Sequence, residues 1–280
     1  MKRNEVQLTV FDSAENRGLN NFLLRNAREL IKYRHVLYNL VNTNLRARYR
    51  RSMIGFFWSL LNPLFTMMIL AAVFSTIYKL PFADFGIYIF SGLLPWSLIS
   101  NGILNGSTSL VGAEGYLKKV YVPKIIFPIA TAGVEAINFL FSLVSLSVLA
   151  LFLGAKVSWG LLFLPVALLF TVLFVLGIIL IVSIINVYFR DLFHILQIVF
   201  TGLFYLVPIV YKKELFTGDL SIILEINPFV YFIELFHQII YEAKIPDTSL
   251  WLTCGVLMLI SLIIGLLIFR SREKEIIYRL

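Results

Sequence analysis

The residue whose chemistry stands out is a single acid inside a long apolar stretch. Glu135 is the one charged residue between Lys124 and Lys156. A carboxylate within a membrane is costly, so it is usually paired or faces water. Glu135 therefore predicts either a position on a translocation path or a pair across a dimer. The simpler alternative is a place near the cytoplasmic interface.

Arg190 and Asp191 form another compact charged group, between two apolar stretches. They are predicted to form an ion pair in a tight turn, which would hold the neighbouring helices in register. The three histidines, His35, His194 and His237, are far apart in the chain. Each is more simply explained as a structural or interfacial residue than as a metal ligand.

The sequence lacks the motifs of a nucleotide-binding or metal-dependent enzyme. It has no Gly-Lys-Ser or Gly-Lys-Thr, no Asp-x-Asp and no His-Glu-x-x-His. Without the first of these, the usual phosphate-cradling loop cannot form. We therefore predict no catalytic site and no metal, ATP or other cofactor on this chain.

Apolar runs organise the rest of the chain. Hydrophobic residues make up 59% of it, and charged residues only 14%. A helix of about 20 residues crosses the hydrocarbon core of a bilayer, which is roughly 30 Å thick. We therefore predict an all-α integral membrane protein with six transmembrane helices, one in each long uncharged run: 52–78, 85–113, 136–155, 157–189, 192–211 and 248–269.

Basic residues are distributed unevenly over the connecting segments. Of the 24 Lys and Arg residues, the six-helix topology puts 19 on one side of the membrane and 5 on the other. The positive-inside rule then places both termini in the cytoplasm. This bias and an attraction to lipid surfaces account for the net charge of +8 without a nucleic-acid partner.

Two segments outside the runs have patterns of their own. Residues 1–51 end in a stretch with apolar residues at helical spacing among Arg and Lys, which predicts an amphipathic helix at the cytoplasmic interface. Residues 52–280 form the membrane domain. Within it, the external segment 212–247 predicts two short re-entrant helices, the second starting at Pro228 with Asn227 as its cap. An interfacial external loop is the alternative.

The loop between the second and third runs reads EGYLKKVYVPK from Glu114 to Lys124. It combines aromatic and aliphatic side chains with lysines. A short helix with these side chains could dock into a groove of a partner protein. A generic cytoplasmic loop is the alternative.

Several short motifs, in this order and between these runs, resemble one family. They are LRARYRRSMIGFFWSLLNP at 45–63, YLKKVYVP at 116–123, VYFRD at 187–191, PIVY at 208–211 and NP at 227–228. Together they resemble the membrane subunits of polysaccharide ABC exporters, which move O-antigen, capsular polysaccharide or teichoic acid across the bacterial inner membrane. The resemblance extends over nearly the whole chain.

The resemblance implies a homodimer bound to two separate ATP-binding cassette subunits, which would hold the ATP and magnesium. The amphipathic helix would be the interface helix, and the segment 212–247, with Asn227 and Pro228, an external gate. The loop after the second run would be the coupling element that contacts the ATPase. Its residues are Glu114, Tyr116, Leu117, Lys118, Lys119 and Val120.

The resemblance also implies a channel lined by aromatic rings. The apolar C–H faces of a sugar can slide over such rings without a fixed hydrogen-bond geometry. Aromatic residues also collect at bilayer interfaces regardless of transport, which is the alternative for each of them. The candidate lining residues are Phe56, Phe57, Trp58, Tyr78, Tyr88, Phe204 and Tyr205.

We therefore expect the transmembrane subunit of an ATP-driven exporter in the inner membrane. It would move an undecaprenyl-type lipid-linked polysaccharide, O-antigen first, through a channel at the homodimer interface. Teichoic-acid export and drug or small-lipid efflux by the same class of permease are alternatives. A membrane glycosyltransferase is a different class, and the missing acidic metal-binding pairs count against it.

Overall fold

The computed structural model describes residues 28–49, 57–154, 158–213 and 219–280. Within these ranges the regular secondary structure is helical, with no strand. The predicted lining residue Phe56 lies outside the described residues, as do positions 1–27 and 50–55 of the N-terminal part. The all-α prediction is thus confirmed for the described ranges.

The helices follow one another with short connections. A 3-10 turn, Trp159–Phe163, leads into α6, and a π-helical turn, His237–Tyr241, follows α9. The helices in the described residues are α1 (Arg34–Tyr49), α2 (Trp58–Tyr78), α3 (Phe82–Ser107), α4 (Glu114–Leu117), α5 (Ile126–Leu153), α6 (Leu164–Tyr188), α7 (Leu192–Tyr205), α8 (Asp219–Ile226), α9 (Pro228–Phe236), α10 (Thr248–Arg272) and α11 (Ile276–Arg279).

Five helical segments of the described chain are long and apolar enough to cross a membrane: α2, α3, α5, α6 with its 3-10 turn, and α10. The fifth predicted span is shorter than expected. Its helix, α7, has 14 residues, which gives a length of about 21 Å against a hydrocarbon core of roughly 30 Å. The chain beyond α7 runs without regular helix from residue 206 to residue 212.

Helix α3 lies at the centre of the bundle. It packs against α2, α5, α6, α7 and α9, and most of its residues are buried. Helices α6 and α10 form another close pair, in which a Cβ on Gly265 would lie 2.3 Å from the carbonyl oxygen of Gly177. The Ser261 hydroxyl also donates to the Phe174 carbonyl at 2.7 Å. Glycine and serine thus set the separation of α6 and α10, as is usual where helices pack in lipid.

The segment between α7 and α10 contains the two short helices that the sequence predicts. The Asn227 side chain accepts a hydrogen bond from the Phe229 N–H at 3.0 Å, and Pro228 is the first residue of α9. The predicted cap is therefore confirmed. Helix α9 is only nine residues long, and it packs deep against α3 with Phe232 and Phe236 fully buried.

Candidate functional site

Glu135 is buried between α3 and α5, with 4% of its surface exposed. One carboxylate oxygen accepts a hydrogen bond from the Asn105 side-chain amide on α3. The other accepts one from the Asn138 amide on α5, and both distances are 2.9 Å. The two amides therefore fix the orientation of the carboxylate between the helices.

Polar side chains continue along both helices on either side of Glu135. On α3 they recur every four residues, and on α5 they recur after four, three and four residues, so each set lies on one helix face. We call these eight residues the polar seam: Ser97, Asn101 and Asn105 on α3, Ser109 in the turn after it, and Thr131, Glu135, Asn138 and Ser142 on α5.

Two clefts open along the polar seam and share Glu135. The loop cleft has a volume of about 340 Å³ and extends toward the α3–α5 loop, where Tyr116 lines it. The inner cleft has a volume of about 390 Å³ and extends toward the middle of α2, where Thr66 lines it. The seam residues Ser109 and Thr131 line the loop cleft, whereas Ser97 and Ser142 line the inner cleft.

The loop between α3 and α5 presents part of the predicted coupling element to its surroundings. Tyr116 is 60% exposed and Val120 is 59% exposed. Lys118 and Lys119 are also exposed. Leu117, in contrast, is buried and packs in a hydrophobic cluster of the bundle. Leu117 therefore packs against the bundle, and the exposed large apolar side chains of the predicted coupling residues are Tyr116 and Val120, followed by the exposed Tyr121.

An ion pair between Glu114 and Lys118 joins the start of this loop helix to the residue after it. The Lys118 amine lies 2.6 Å from a Glu114 carboxylate oxygen. This hydrogen bond, and then the charge of Lys118, lowers the pKa of Glu114 below its ordinary value. Glu114 is therefore ionised near neutral pH. The pair is exposed, so it contributes little to stability.

The predicted aromatic residues lie in several different surroundings. Trp58 lines the inner cleft beside the polar seam. Phe204 and Tyr205 line another cleft, between α3 and α7. Phe57 is 63% exposed. Tyr78 is partly buried against the core.

Tyr88 differs from the other predicted lining residues because it is buried. Its ring stacks on that of His237 at 4.3 Å between centroids and 3° between planes. The Tyr88 hydroxyl donates to the Tyr211 carbonyl at 2.7 Å. Tyr88 is therefore not available to a cargo in this structure, and its role is to connect α3 to the chain after α7.

His237 makes a second set of contacts to the same irregular stretch. Its Nε2 lies 2.9 Å from the Pro208 carbonyl oxygen, which can only accept, so Nε2 carries a proton. Its Nδ1 lies 2.7 Å from the Ser91 hydroxyl oxygen, which is also 2.7 Å from the Tyr88 carbonyl oxygen. A Cβ on Gly92 would lie 3.0 Å from the His237 ring. The glycine thus provides the space that lets the imidazole reach α3.

Side chains donate hydrogen bonds to backbone carbonyl groups at the end of α7 and in the stretch after it. The Tyr205 carbonyl accepts from the Tyr211 hydroxyl at 3.1 Å. The Pro208 and Tyr211 carbonyls accept from His237 and Tyr88 as described. Irregular backbone at membrane depth is tolerated where it is buried in protein and its polar groups are bonded. This network therefore allows the chain to continue beyond α7 without a helix.

The predicted ion pair between Arg190 and Asp191 does not form. Both residues are exposed, and the turn is closed by the backbone instead. The Leu192 N–H donates to the Phe189 carbonyl, and the His194 N–H donates to the Asp191 carbonyl. Side chains of adjacent residues diverge in such a turn, so the charges are not needed to hold α6 and α7 together.

Sequence reasoning identified Glu135 but missed the other members of the polar seam. Asn101 and Asn105 stand four residues apart in an uncharged run, and Asn138 and Ser142 do the same in another. A spacing of four residues puts each pair on one face of a helix, and this spacing could have identified them in the sequence. The described residues contain no group of three or more His, Cys, Asp or Glu side chains placed to bind a metal ion.

Comparison with known proteins gives the family of this chain. The sequence profile of the ABC-2 type transporter family matches residues 35–241, which is most of the chain. The chain belongs to the ABC-2 type transporter family. This confirms the resemblance found in the sequence, and it identifies a multi-pass membrane protein that acts as a transporter subunit.

Members of this family with curated names include similar export permeases. The O-antigen export system permease protein RfbA of Myxococcus xanthus is 31% identical over 255 residues, which cover 90% of this chain and 98% of that protein. A protein of the same name from Klebsiella pneumoniae is 25% identical over 197 residues, which cover 69% of this chain and 75% of that protein.

Proposed function

We propose that this ABC-2 protein is the transmembrane subunit of an ATP-driven exporter that moves lipid-linked O-antigen from the cytoplasmic to the outer face of the bacterial inner membrane. The observation that carries the proposal is the similarity to the Myxococcus xanthus permease, because it covers 98% of that protein. Two copies of the chain would form the channel between them. Both termini would be cytoplasmic, and the lipid carrier would be of the undecaprenyl type.

In this proposal α7 and the irregular stretch 206–212 form the fifth crossing in chain order, which brings the total to six. Helix α7 alone is about 9 Å shorter than the hydrocarbon core. The residues after it, including Val207, Ile209 and Val210, are buried against the rest of the bundle. Their carbonyls are bonded by Tyr88 and His237. An even number of crossings then agrees with the 19-to-5 distribution of basic residues.

The surfaces of the bundle suit a carbohydrate cargo. The inner cleft combines the Trp58 ring with hydroxyl and amide groups. The cleft between α3 and α7 combines Phe204 and Tyr205 with Gln197 and Ser100. Sugars have apolar C–H faces and a rim of hydroxyls, so mixed aromatic and polar surfaces can contact both.

ATP hydrolysis would occur on two partner subunits, which also bind the magnesium. Transport then requires a contact that carries their motion to the membrane helices. The exposed Tyr116 and Val120 stand beside Lys118 and Lys119 in the α3–α5 loop. Aromatic anchors with flanking charge are typical of residues that dominate a protein interface. We assign the ATPase contact to this loop.

Deletion of the gene and complementation with variants tests the function. Cells without the protein should lose surface O-antigen and accumulate its lipid-linked form inside, and the wild-type gene should restore export. Accumulation of a different polymer, such as teichoic acid, would contradict O-antigen as the cargo and identify that polymer as the cargo instead. Unchanged distribution of every lipid-linked glycan would contradict the exporter function itself.

The coupling contact has its own test. The double variant Tyr116→Ala with Val120→Ala should lower recovery of the ATPase in a pull-down by roughly 30-fold or more, because interface anchors are typically worth about 2 kcal/mol or more. Tyr278→Ala is the control, since Tyr278 is an 89% exposed tyrosine outside the loop. Normal ATPase recovery and normal export by the double variant would show that this loop is not the coupling element.

A further inference from the structure

The C-terminal segment, residues 269–280, packs against the buried side of the α3–α5 loop. Phe269 and Ile276 are both fully buried, and they share a hydrophobic cluster with Leu117 of the loop. We call this group the loop cluster. Its buried members among the described residues are Leu110, Ala113, Leu117, Ile125 and Phe127 around the loop, Leu180, Ile184 and Val187 on α6, and Phe269 and Ile276 at the end of the chain. The loop, the end of α6 and the C-terminal segment thus meet in one place.

Polar contacts join the same three parts of the chain. Lys124, at the end of the loop, donates a hydrogen bond to the Glu273 carbonyl. The Tyr188 hydroxyl at the end of α6 donates to a Glu275 carboxylate oxygen at 2.5 Å. The contact of Tyr188 is exposed, so we expect it to orient the segment, whereas the burial of Ile276 supplies most of the stabilisation.

The packing of α11 is confined to one side of this short helix. Ile276 is fully buried, whereas Ile277 is 45% exposed and Tyr278 is 89% exposed. A cytoplasmic topology signal requires only the basic residues of the segment. It does not explain why Ile276 is buried in the loop cluster. The apolar contact therefore points to a role that involves the loop.

The loop helix α4 is too short to fix its own position. It has four residues, and isolated helices shorter than about 12 residues are marginal in water. Its placement therefore depends on Leu117, which packs in the loop cluster. Tyr116 and Val120, to which we assign the ATPase contact, stand on the exposed side of the same loop. A contact that is pushed by a partner displaces the membrane helices only if its buried side is firmly supported.

The C-terminal segment also connects the loop to a second pair of membrane helices. The segment continues from α10, and α11 packs against α6. Helices α6 and α10 are themselves in close contact at Gly177 and Gly265. Packed side chains and rigid helices can carry a displacement from one site to another. The loop thus has a packed connection to α6 and α10, in addition to its covalent connection to α3 and α5.

We propose that the C-terminal segment is a positioning element for the ATPase contact, in which Ile276 holds the α3–α5 loop so that its displacement reaches α6 and α10. This inference rests on the proposed export function and deepens it, because it adds a positioning residue outside the loop. Loss of the Ile276 side chain leaves the exposed residues of the loop in the sequence but weakens their support. The complex then hydrolyses ATP with less export.

Thiol labelling at position 113 measures the support of the loop. Ala113 is 4% exposed and belongs to the loop cluster, so an Ala113→Cys thiol in a Cys254→Ala background is protected while the loop stays packed. When opening is fast compared with labelling, the labelling rate follows the open population. Ile276→Ala should raise that rate roughly 25-fold or more, from the usual cost of truncating a buried isoleucine. Ile276→Leu keeps the volume and should label much more slowly than Ile276→Ala.

Ile277→Ala is the matched control, because Ile277 is the next residue and is partly exposed. It should leave labelling at position 113 nearly unchanged. If Ile276→Ala does not accumulate, Ile276→Val takes its place. This variant removes one methyl group and should raise labelling roughly 2-fold to 10-fold. Equal labelling in the position 276 variant and in Ile277→Ala would overturn the proposal.

The ratio of export to ATP hydrolysis separates positioning from a merely structural role. Surface glycan is measured in cells, and the ATPase rate is measured on the complex purified from the same cells, each relative to the amount of protein. Ile276→Ala should lower this ratio several-fold while the ATPase is still recovered in a pull-down, and Ile276→Leu should restore it. A loss of protein with an unchanged ratio would overturn the positioning role and leave the export function standing. Wild-type protein that recovered no ATPase and moved no lipid-linked glycan would overturn the export function, and this role with it.

Discussion

The contact between His237 and the Pro208 carbonyl leads to the sharpest prediction about this fold. We expect His237→Ala to release the irregular stretch 206–211 from the bundle while the long helices stay in place. The imidazole is almost fully buried, with 2% of its surface exposed. It connects three parts of the chain: the turn after α9, Ser91 on α3 and Pro208 after α7.

The size of the effect follows from the contacts that are lost. The Pro208 carbonyl would lose its 2.9 Å bond to His237 and keep only the 3.3 Å contact with the Tyr88 hydroxyl, which also bonds Tyr211 at 2.7 Å. A buried acceptor left poorly bonded costs about 1–3 kcal/mol. The stack of His237 on Tyr88 would also be lost, at about 0.5–1.5 kcal/mol. The free energy of local opening should therefore fall by roughly 1.5–4.5 kcal/mol. Since about 1.4 kcal/mol is a factor of ten, the open population should rise between about 10-fold and 1,600-fold.

Thiol labelling at position 210 measures this opening. Val210 is 3% exposed, so a Val210→Cys thiol is protected while the stretch stays packed. The background carries Cys254→Ala, because Cys254 is the one native cysteine. When opening is fast compared with labelling, the labelling rate follows the open population. His237→Ala should therefore raise that rate by the factor given above.

Gln238→Ala is the matched control, because Gln238 is the next residue and is also buried. Its side chain bonds Glu234 and Asp247 and makes no contact with the 206–211 carbonyls. This variant should leave labelling at position 210 nearly unchanged. If His237→Ala labels no faster than Gln238→Ala, the imidazole does not hold the stretch and the reasoning is refuted.

Two further predictions concern topology and helix packing. In a Cys254→Ala background, an impermeant reagent outside the cell should label Lys213→Cys and should not label Lys118→Cys. The distribution of basic residues places these two segments on opposite sides of the membrane. External labelling at position 118 would contradict the six-crossing topology. Gly177→Val should abolish stable folding, measured by gel filtration and thermal melting, because a Cβ there would lie 2.4 Å from the backbone of α10. Gly202→Ala is its control, since a Cβ there meets nothing within 4 Å, and equal stability of the two variants would count against the close α6–α10 contact.

Much of the fold was predictable because the bilayer imposes a simple rule. Long and continuously apolar runs form helices in lipid, since a helix satisfies all its backbone polar groups within one segment. That rule located α2, α3, α5, α6 and α10. The start of α9 was also predictable, because Asn227 before Pro228 indicates an N-cap followed by the first turn of a helix.

The candidate site was harder to predict because its parts come from different helices. Glu135 was conspicuous as a charge in an apolar run, whereas its partner Asn105 lies 30 residues earlier on α3. Similarly, the sequence predicted the same docking role for Leu117 and for its neighbour Tyr116. Only the packing of the loop against the bundle distinguishes the buried leucine from the exposed tyrosine.

The end of α7 shows why run length alone could not define the fifth span. An uncharged run indicates that a segment can lie in lipid, but it does not indicate where the backbone hydrogen bonds go. Helix α7 stops at Tyr205 although the run continues to Tyr211. The carbonyls after that point are bonded by Tyr88, more than a hundred residues earlier, and by His237 in the π-helical turn after α9. The helix can end inside an apolar run because distant side chains replace the bonds it gives up.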